Sequence, residues 1–339
     1  MRIFTSVHDV NNVPAIVDEA LFLKQNPFSN QEIGKNKTIG LIFMNPSLRT
    51  RLSTQKAALN LGMNVIVMNM DKEGWALETR DGVVMNGTTV EHIREAAGVM
   101  GEYCDILGIR SFPGLKDKEE DYSEDIFNKF VKYSGKPVVS LESAIRHPLQ
   151  SLADLITIVE HSKVSSVIEN ANGGFVPSPP ERAGVRPKVV LTWAPHVKSL
   201  PQAVPNSFSE WMCRAQNEGM LDFVITHPEG YELAEEFTQG AKITHNQDEA
   251  LKGADFIYVK NWSSFKDYGK VLTSGEGWML NRERLKSTNR AKVMHCLPVR
   301  RDLELSSDIL DSHDSIVIKE AGNRVWAAQA VLTRMLKNL

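Results

Sequence analysis

Along the chain, short runs of β-branched and aliphatic residues alternate with longer stretches whose apolar positions recur every three or four residues. The short runs predict strands over Thr38–Met44, Met63–Met68, Asp105–Ile109 and Pro137–Leu141. A second set predicts strands over Lys188–Trp193, Asp222–Thr226, Asp255–Val259 and Lys292–His295. Between them, segments such as Ser53–Leu61 and Glu91–Met100 carry helical periodicity. Strands alternating with helices in this way imply parallel sheets covered by helices on both faces, since a parallel crossover needs a helix-length return. The expected fold class is α/β, with two doubly wound domains.

The junction is placed near His147–His161. There HPLQSLADLITIVEH sets Leu149, Leu152, Leu155 and Ile156 at helical spacing, and Pro148 suits a first helical turn. A last helix is expected over Arg324–Leu339, its Val325, Ala328, Val331, Leu332 and Met335 packing back on the first domain. The domains are thus drawn as 1–150, completed by a returning helix within 320–339, and 151–319. The stretch 163–187 holds three Gly and four Pro and reads as a loop, either a surface insertion or an active-site lid. No internal repeat is evident.

Composition narrows the classes without choosing among them. The 339 residues are 42% hydrophobic and 24% charged, ordinary for a soluble globular protein. A net charge of −3 gives no general attraction to nucleic acid or an anionic membrane. The N-terminus lacks the apolar core of a signal peptide, and no apolar run reaches the roughly 18 residues of a membrane span. Cys104, Cys213 and Cys296 are odd in number and far apart, which points to a reducing compartment, the cytoplasm. No metal-ligand spacing emerges, and no metal or cofactor is expected.

The candidate chemistry gathers where strands end, the place at which open α/β sheets bind ligands. SLRTR, residues 47–51, follows the first strand. Ser47 or Thr50 can cap the next helix, whose free N–H groups favour an anion, while Arg49 and Arg51 add charge in a fork suited to phosphate. Neither a Walker loop nor a GxGxxG fingerprint is present, which argues against a nicotinamide-dependent oxidoreductase. Arg110, His147 with Gln150, and HCLPVRR at 295–301 follow later strands, and Arg324 begins the last helix. Each alone has a plainer reading: His147 as a helix cap, Cys296 as a small buried hydrophobe, Arg324 as a solvated charge. Their common placement at strand ends favours a site.

SLRTR, HPLQ and HCLP, in this order and at these separations, resemble the aspartate/ornithine carbamoyltransferase family. The likeness covers nearly the whole chain, and 163–187 is its least matched part. GWALE at 74–78, EHI at 91–93, TWAPH at 192–196, YVKNW at 258–262 and HCLPVRR resemble the branch acting on N-acylated ornithine. The resemblance implies a transcarbamylase fold with a knotted second domain, and a homotrimer with active sites at subunit interfaces. It implies a carbamoyl phosphate site made of Ser47, Leu48 through its backbone, Arg49, Thr50, Arg110, His147, Gln150, Cys296, Leu297 and Arg324. Trp75 resembles the residue that a neighbouring subunit lends to that site. Glu142, Lys260 and Arg300 match the groups that hold the acylated amino acid. Thr50, Arg110 and His147 would act on the reacting carbonyl.

The acceptor is narrowed by departures from family patterns. YVKNWSSF stands where free-ornithine enzymes carry a DxxxSMG-type grip on the α-amine, so that grip is missing and Lys260 offers a cation to a carboxylate. Val90, in NGTTVEHI, replaces both the glutamate of the N-acetylornithine type and the proline common in the succinyl type. A glutamate would repel the second carboxylate of a succinyl group; valine does not, which favours N-succinylornithine over N-acetylornithine. A non-catalytic relative is the remaining alternative, opposed by intact SLRTR, Arg110, HPLQ and Arg324.

Overall fold

Two five-stranded sheets, parallel throughout, carry the architecture in the computed structural model. It describes residues 1–70, 72–162 and 186–339 and, within 163–185, only the backbone of two short strands. The first sheet has the order Ile3–Phe4, Val138–Glu142, Ile106–Arg110, Thr38–Phe43, Asn64–Asn69. The second has the order Lys242–Thr244, Asp222–Thr226, Lys188–Trp193, Phe256–Lys260, Lys292–Met294. All eight strands expected from the sequence are there, shifted by at most a residue at either end. Two edge strands, Ile3–Phe4 and Lys242–Thr244, were not expected: two or three residues leave no room for an apolar pattern.

Helices cover the sheets, and one of them sits between the two halves. Pro148–His161 is buried without interruption from Pro148 to Ile158, against the final helix on one flank and Ala203–Asn217 on another. A helix apolar over most of its circumference can be stable only in such a sandwiched position. The final helix runs Val317–Leu336 and starts well before the expected Arg324. Its first turns read poorly in sequence because Ile316, its N-terminal flank, supplies no capping side chain and Gly322 interrupts the pattern. It packs on Arg49–Asn60, Pro148–His161 and Val13–Gln25. One continuous apolar core therefore runs from Phe4 and Leu41 through Leu152 and Leu155 to Trp193, Phe208 and Leu332. Separate clusters fill the outer face of each sheet.

The loop expected over 163–187 lies almost wholly outside the described residues, and so does its reading as a lid; within it, Val167–Glu169 pairs antiparallel with Phe175–Pro177. Among the described residues no helix is long and apolar enough to cross a membrane. All three cysteines are free and buried.

Candidate active site

The carboxyl ends of both sheets face a cleft of about 420 Å³. Its lining includes Ser47, Arg49, Thr50, Arg110, Glu142, His147, Gln150, Lys260, Cys296, Leu297, Arg300 and Arg324, so residues separated by more than 270 positions share one surface. Six of the lining side chains are Arg or Lys and one is a carboxylate, in a chain whose overall charge is −3. That local excess of positive charge, between low-dielectric walls, is suited to a dianion. A larger hollow, about 750 Å³, lies between His161, Pro187, Arg282 and Lys292 and gathers none of the expected residues.

The anion end starts at the Arg49–Asn60 helix. Its flanking residue is Leu48, and no side chain caps it. The expectation that Ser47 or Thr50 would cap is corrected: Thr50 is already inside the helix, and its Oγ1 accepts from Arg324 Nη2. Leu52 is the first residue whose N–H bonds within this helix, to the Leu48 carbonyl, which leaves the preceding N–H groups and the dipole to an anion. Leu48 itself turns its side chain to solvent, so only its backbone can serve the site.

Arg324 ties the two ends of the chain together. Buried two turns inside the final helix, it donates to Thr50 Oγ1 and to Gln150 Oε1, and Nη2 lies 3.4 Å from His147 Nε2. An arginine can only donate, so His147 Nε2 is the acceptor and the proton sits on Nδ1. That Nδ1–H is buried and has no partner among the described residues. His147 does not cap its helix. Burial, then the charges of Arg324, Arg110 and Arg49, hold its pKa well below the ordinary imidazole value, so it is neutral at pH 7. Among the described residues neither the Arg324 Nε nor the Arg49 Nε has a partner, while Arg49 Nη2 donates to the Leu297 carbonyl.

Arg110 closes the cleft from the first sheet. Its Nε and Nη2 donate to Glu142 Oε2 at 3.2 and 2.7 Å, and Nη1 donates to the Asn45 and Pro46 carbonyls at 3.1 and 2.7 Å. The guanidinium also rests 5.2 Å from the Phe112 ring. Glu142, expected at the acceptor end, is thus the counterion of Arg110, although it lines the same cleft. On the far side, Leu297 adopts φ +56°, a conformation costing a non-glycine residue roughly 1–3 kcal/mol, and its N–H donates to His295 Nδ1 at 2.8 Å. Cys296 is buried and its thiol is pushed up to about 12 by desolvation, which excludes it as a thiolate at neutral pH.

The end expected to hold the acceptor is looser. Lys260, at the tip of the Phe256–Lys260 strand, is buried, yet its ammonium has no hydrogen-bond acceptor among the described residues. Arg300 is exposed and donates from Nε to His196 Nε2 at 3.0 Å. Trp75 and Val90 are not in this cleft. They are 57% and 64% exposed, on a paired segment in which Leu77–Glu78 runs parallel to Glu91–His92. Trp75 Nε1 donates to Glu91 at 2.8 Å, and the Val90 N–H donates to the Ala76 carbonyl at 2.9 Å, so the two side chains belong to one projecting unit.

Sequence reasoning missed the carboxylates beneath the site. Gln150 Nε2 donates to Asp154 Oδ1 at 2.7 Å, and Glu320 Oε2 accepts the His295 N–H at 2.8 Å. Both acids are fully buried and adjoin each other. Desolvation raises both, and the neighbouring Asp154 pushes Glu320 further above the carboxylate range. A faint signal existed: Gln150, Asp154 and Thr157 recur at helical spacing on a mainly apolar helix. His196, Lys198 and Val204 also line the cleft and were not expected there as single residues.

Comparisons with known proteins bear on the chain as a whole. A family model described as aspartate/ornithine carbamoyltransferase, carbamoyl-P binding domain, matches residues 2–160; its Asp/Orn binding domain counterpart matches 206–335. The chain is 49% identical over 341 aligned residues to an N-succinylornithine carbamoyltransferase of Bacteroides thetaiotaomicron, covering all of both. It is 32% identical to an N-acetylornithine carbamoyltransferase of Xylella fastidiosa, over 93% of this chain and 94% of that one. A solved acetylornithine transcarbamylase complexed with acetylcitrulline superposes with a TM-score of 0.85 at 30% identity, covering 99% of each chain. A glutamate-to-valine variant of N-acetyl-L-ornithine transcarbamylase, complexed with carbamyl phosphate and N-succinyl-L-norvaline, gives a TM-score of 0.84 at 31% identity, over 99% of this chain and all of that one. With a cationic cleft built jointly by both matched regions, and likeness along the full chain, this protein belongs to the aspartate/ornithine carbamoyltransferase family.

Proposed function

We propose that the protein transfers the carbamoyl group of carbamoyl phosphate to the δ-amine of N-succinyl-L-ornithine, giving N-succinyl-L-citrulline and phosphate, a step of arginine biosynthesis in the cytoplasm. The observation that carries this reading is the anion end: an uncapped helix start, Arg49 and Arg324, with the unpartnered Nδ1–H of His147 beside them. Phosphate occupies the helix start and the arginines. The carbonyl oxygen takes hydrogen bonds from the Thr50 hydroxyl, the Nη2 of Arg110 and His147 Nδ1. The amine attacks the carbonyl carbon, charge builds on that oxygen, and the three donors stabilise it; one such donor is worth roughly 2.7–4 kcal/mol. The C–O bond to phosphate then breaks, the electron pair leaves with phosphate, and the proton lost by the amine goes to a phosphate oxygen. Ser47, the Leu48 backbone, Gln150, Cys296 and Leu297 shape the pocket around this group.

Lys260, Arg300 and the free Oε1 side of Glu142 hold the acylated amino acid, Lys260 through a carboxylate. Trp75 and Val90 act on a neighbouring copy in a homotrimer; their exposure and their linkage through Glu91 and Ala76 support this. The succinyl preference is supported by Val90, by the 49% identical relative, and by the solved variant in which valine for glutamate accompanies a succinylated ligand. N-acetyl-L-ornithine is the second reading, favoured by the likeness to acetylornithine enzymes. A steady-state assay with carbamoyl phosphate and ornithine, N-acetylornithine or N-succinylornithine side by side separates them. The succinyl compound is expected to give by far the highest kcat/KM. A higher value for the acetyl compound moves the acceptor, and no ureido product from any of the three removes the activity.

A further inference from the structure

The register of the second sheet brings together three side chains that the carbamoyl chemistry does not use. Asp222–Thr226 pairs in parallel with Lys242–Thr244, Thr226 opposite Thr244. The next residue on each strand is a histidine, His227 and His245. Neighbouring strands lie roughly 4.8 Å apart, and the two imidazole centroids are 5.0 Å apart at 74°. The chain then turns through Gly230, at φ +85°, and returns Glu232 to the same spot. Each of the three residues can bring one donor atom within 4.8 Å of the others.

The hydrogen bonds fix which atoms are free. His227 Nδ1 lies 2.8 Å from the Pro228 carbonyl oxygen and His245 Nδ1 lies 3.0 Å from the His227 carbonyl oxygen. A carbonyl only accepts, so both protons sit on Nδ1 and both Nε2 atoms keep their lone pairs. His227 is 1% exposed, and its Nε2 is buried without a partner among the described residues. A buried acceptor left unpaired costs about 1–3 kcal/mol unless something meets it. Glu232 Oε1 accepts the Gly230 N–H at 3.2 Å, which orients the carboxylate. A histidine donating its second N–H to a backbone carbonyl is the usual outer support of a metal-bound imidazole.

We propose that His227, Glu232 and His245 form a zinc-class divalent metal site. Two imidazole nitrogens and one carboxylate oxygen make a three-ligand set with a fourth position open to water. Tetrahedral ligands stand roughly 3.4 Å from one another, given metal–ligand distances of about 2.1 Å, so the exposed Glu232 and His245 close inward by about an ångström on binding. The metal pins the edge strand Lys242–Thr244 and the 227–232 turn to one another. The turn also holds Tyr231, whose carbonyl accepts from Trp262 Nε1 at 2.7 Å and whose hydroxyl accepts the Leu272 N–H at 2.7 Å. Burial keeps His227 below the ordinary imidazole value and so in the ligating form.

The test uses untagged full-length protein dialysed against a chelator, then titrated with zinc by calorimetry and with cobalt(II) by visible absorption. One zinc per chain, a tetrahedral cobalt spectrum and a zinc-dependent rise in Tm are expected. His245→Ala and Glu232→Gln, both at exposed positions, should each weaken zinc binding at least tenfold and abolish the rise in Tm. Carbamoyl transfer by apo protein should be unchanged in both, and His313→Ala should bind zinc like the wild type. Absence of stoichiometric zinc in the wild type overturns the site. Wild-type affinity in both variants overturns the assignment of these ligands.

Discussion

At the end of the cleft formed by the Arg49–Asn60 helix, each guanidinium is already held: Arg324 by Thr50 and Gln150, Arg49 by the Leu297 carbonyl, Arg110 by Glu142 and two backbone carbonyls. At the opposite end, Lys260 has no acceptor among the described residues, and Arg300 lies in solvent against His196. The first end is preorganised, so its donors need little reorientation as charge develops. The second leaves its cations for a ligand to satisfy. A site for one invariant small dianion gains from rigidity; in the function proposed above, selection among acyl groups rests on what the ligand completes and on what a neighbouring copy adds.

The comparison breaks most sharply at Arg324. Replacing it by Gln should lower kcat/KM by about 10³-fold or more, with a large rise in KM for carbamoyl phosphate, since phosphate, Thr50 and Gln150 lose one shared partner. Steady-state kinetics with each substrate varied in turn reads this. Normal saturation by carbamoyl phosphate would place the dianion elsewhere. If Trp75 serves a neighbouring copy, mixing Arg324→Gln with Trp75→Ala subunits should restore activity that neither variant has alone.

Arg110→Ala should cost at least a hundredfold in kcat/KM. It also strands Glu142, and breaking a buried pair from one side costs roughly 3–5 kcal/mol. Adding Glu142→Gln should therefore recover Tm without recovering activity. Recovery of both would make Arg110 a structural residue only.

What could be read in the sequence follows from how each feature is encoded. Strands such as Lys188–Trp193 are local apolar runs, and SLRTR combines a strand end with a helix start in a few residues. The meeting of Arg324 with Thr50 depends on a core that returns the last helix to the first sheet, and no local pattern states it. Asp154 and Glu320 were invisible because a carboxylate inside a helix ordinarily marks a solvated face, while here both are buried. The same physics hid the pairing of Glu142 with Arg110. The His227–His245 contact arises from strand register, and the edge strand that sets it is three residues long.

On the acceptor side the effects are smaller and selective. Lys260→Met should raise KM for the acylated ornithine roughly ten- to a hundredfold, with KM for carbamoyl phosphate nearly unchanged. Equal rises for both substrates would merge the two ends into one unit. Val90→Glu should shift the ratio of kcat/KM values toward N-acetylornithine by at least tenfold, since the new carboxylate opposes the succinyl group. An unchanged ratio would refute Val90 as selector.

The smallest effect separates the two ends by pH. His147 faces Arg324, Arg110, Arg49 and Glu142, and its folded pKa lies well below its unfolded value near 6.5 because burial disfavours the imidazolium. The stability it contributes is therefore full above that unfolded value. It is lost as pH falls below it, where only the unfolded chain binds the proton. At pH 5.5 the loss is at most about 1.4 kcal/mol, one tenfold factor. Asp154 and Glu320, with raised values, act in the opposite direction. The useful measurement is thus a difference: the fall in Tm from pH 7.5 to 5.5 should be smaller in His147→Gln than in the wild type. Equal falls would mean that His147 protonates freely in the folded protein, and its Nε2 would no longer stand as the acceptor facing Arg324 that fixes the neutral ring's proton on Nδ1.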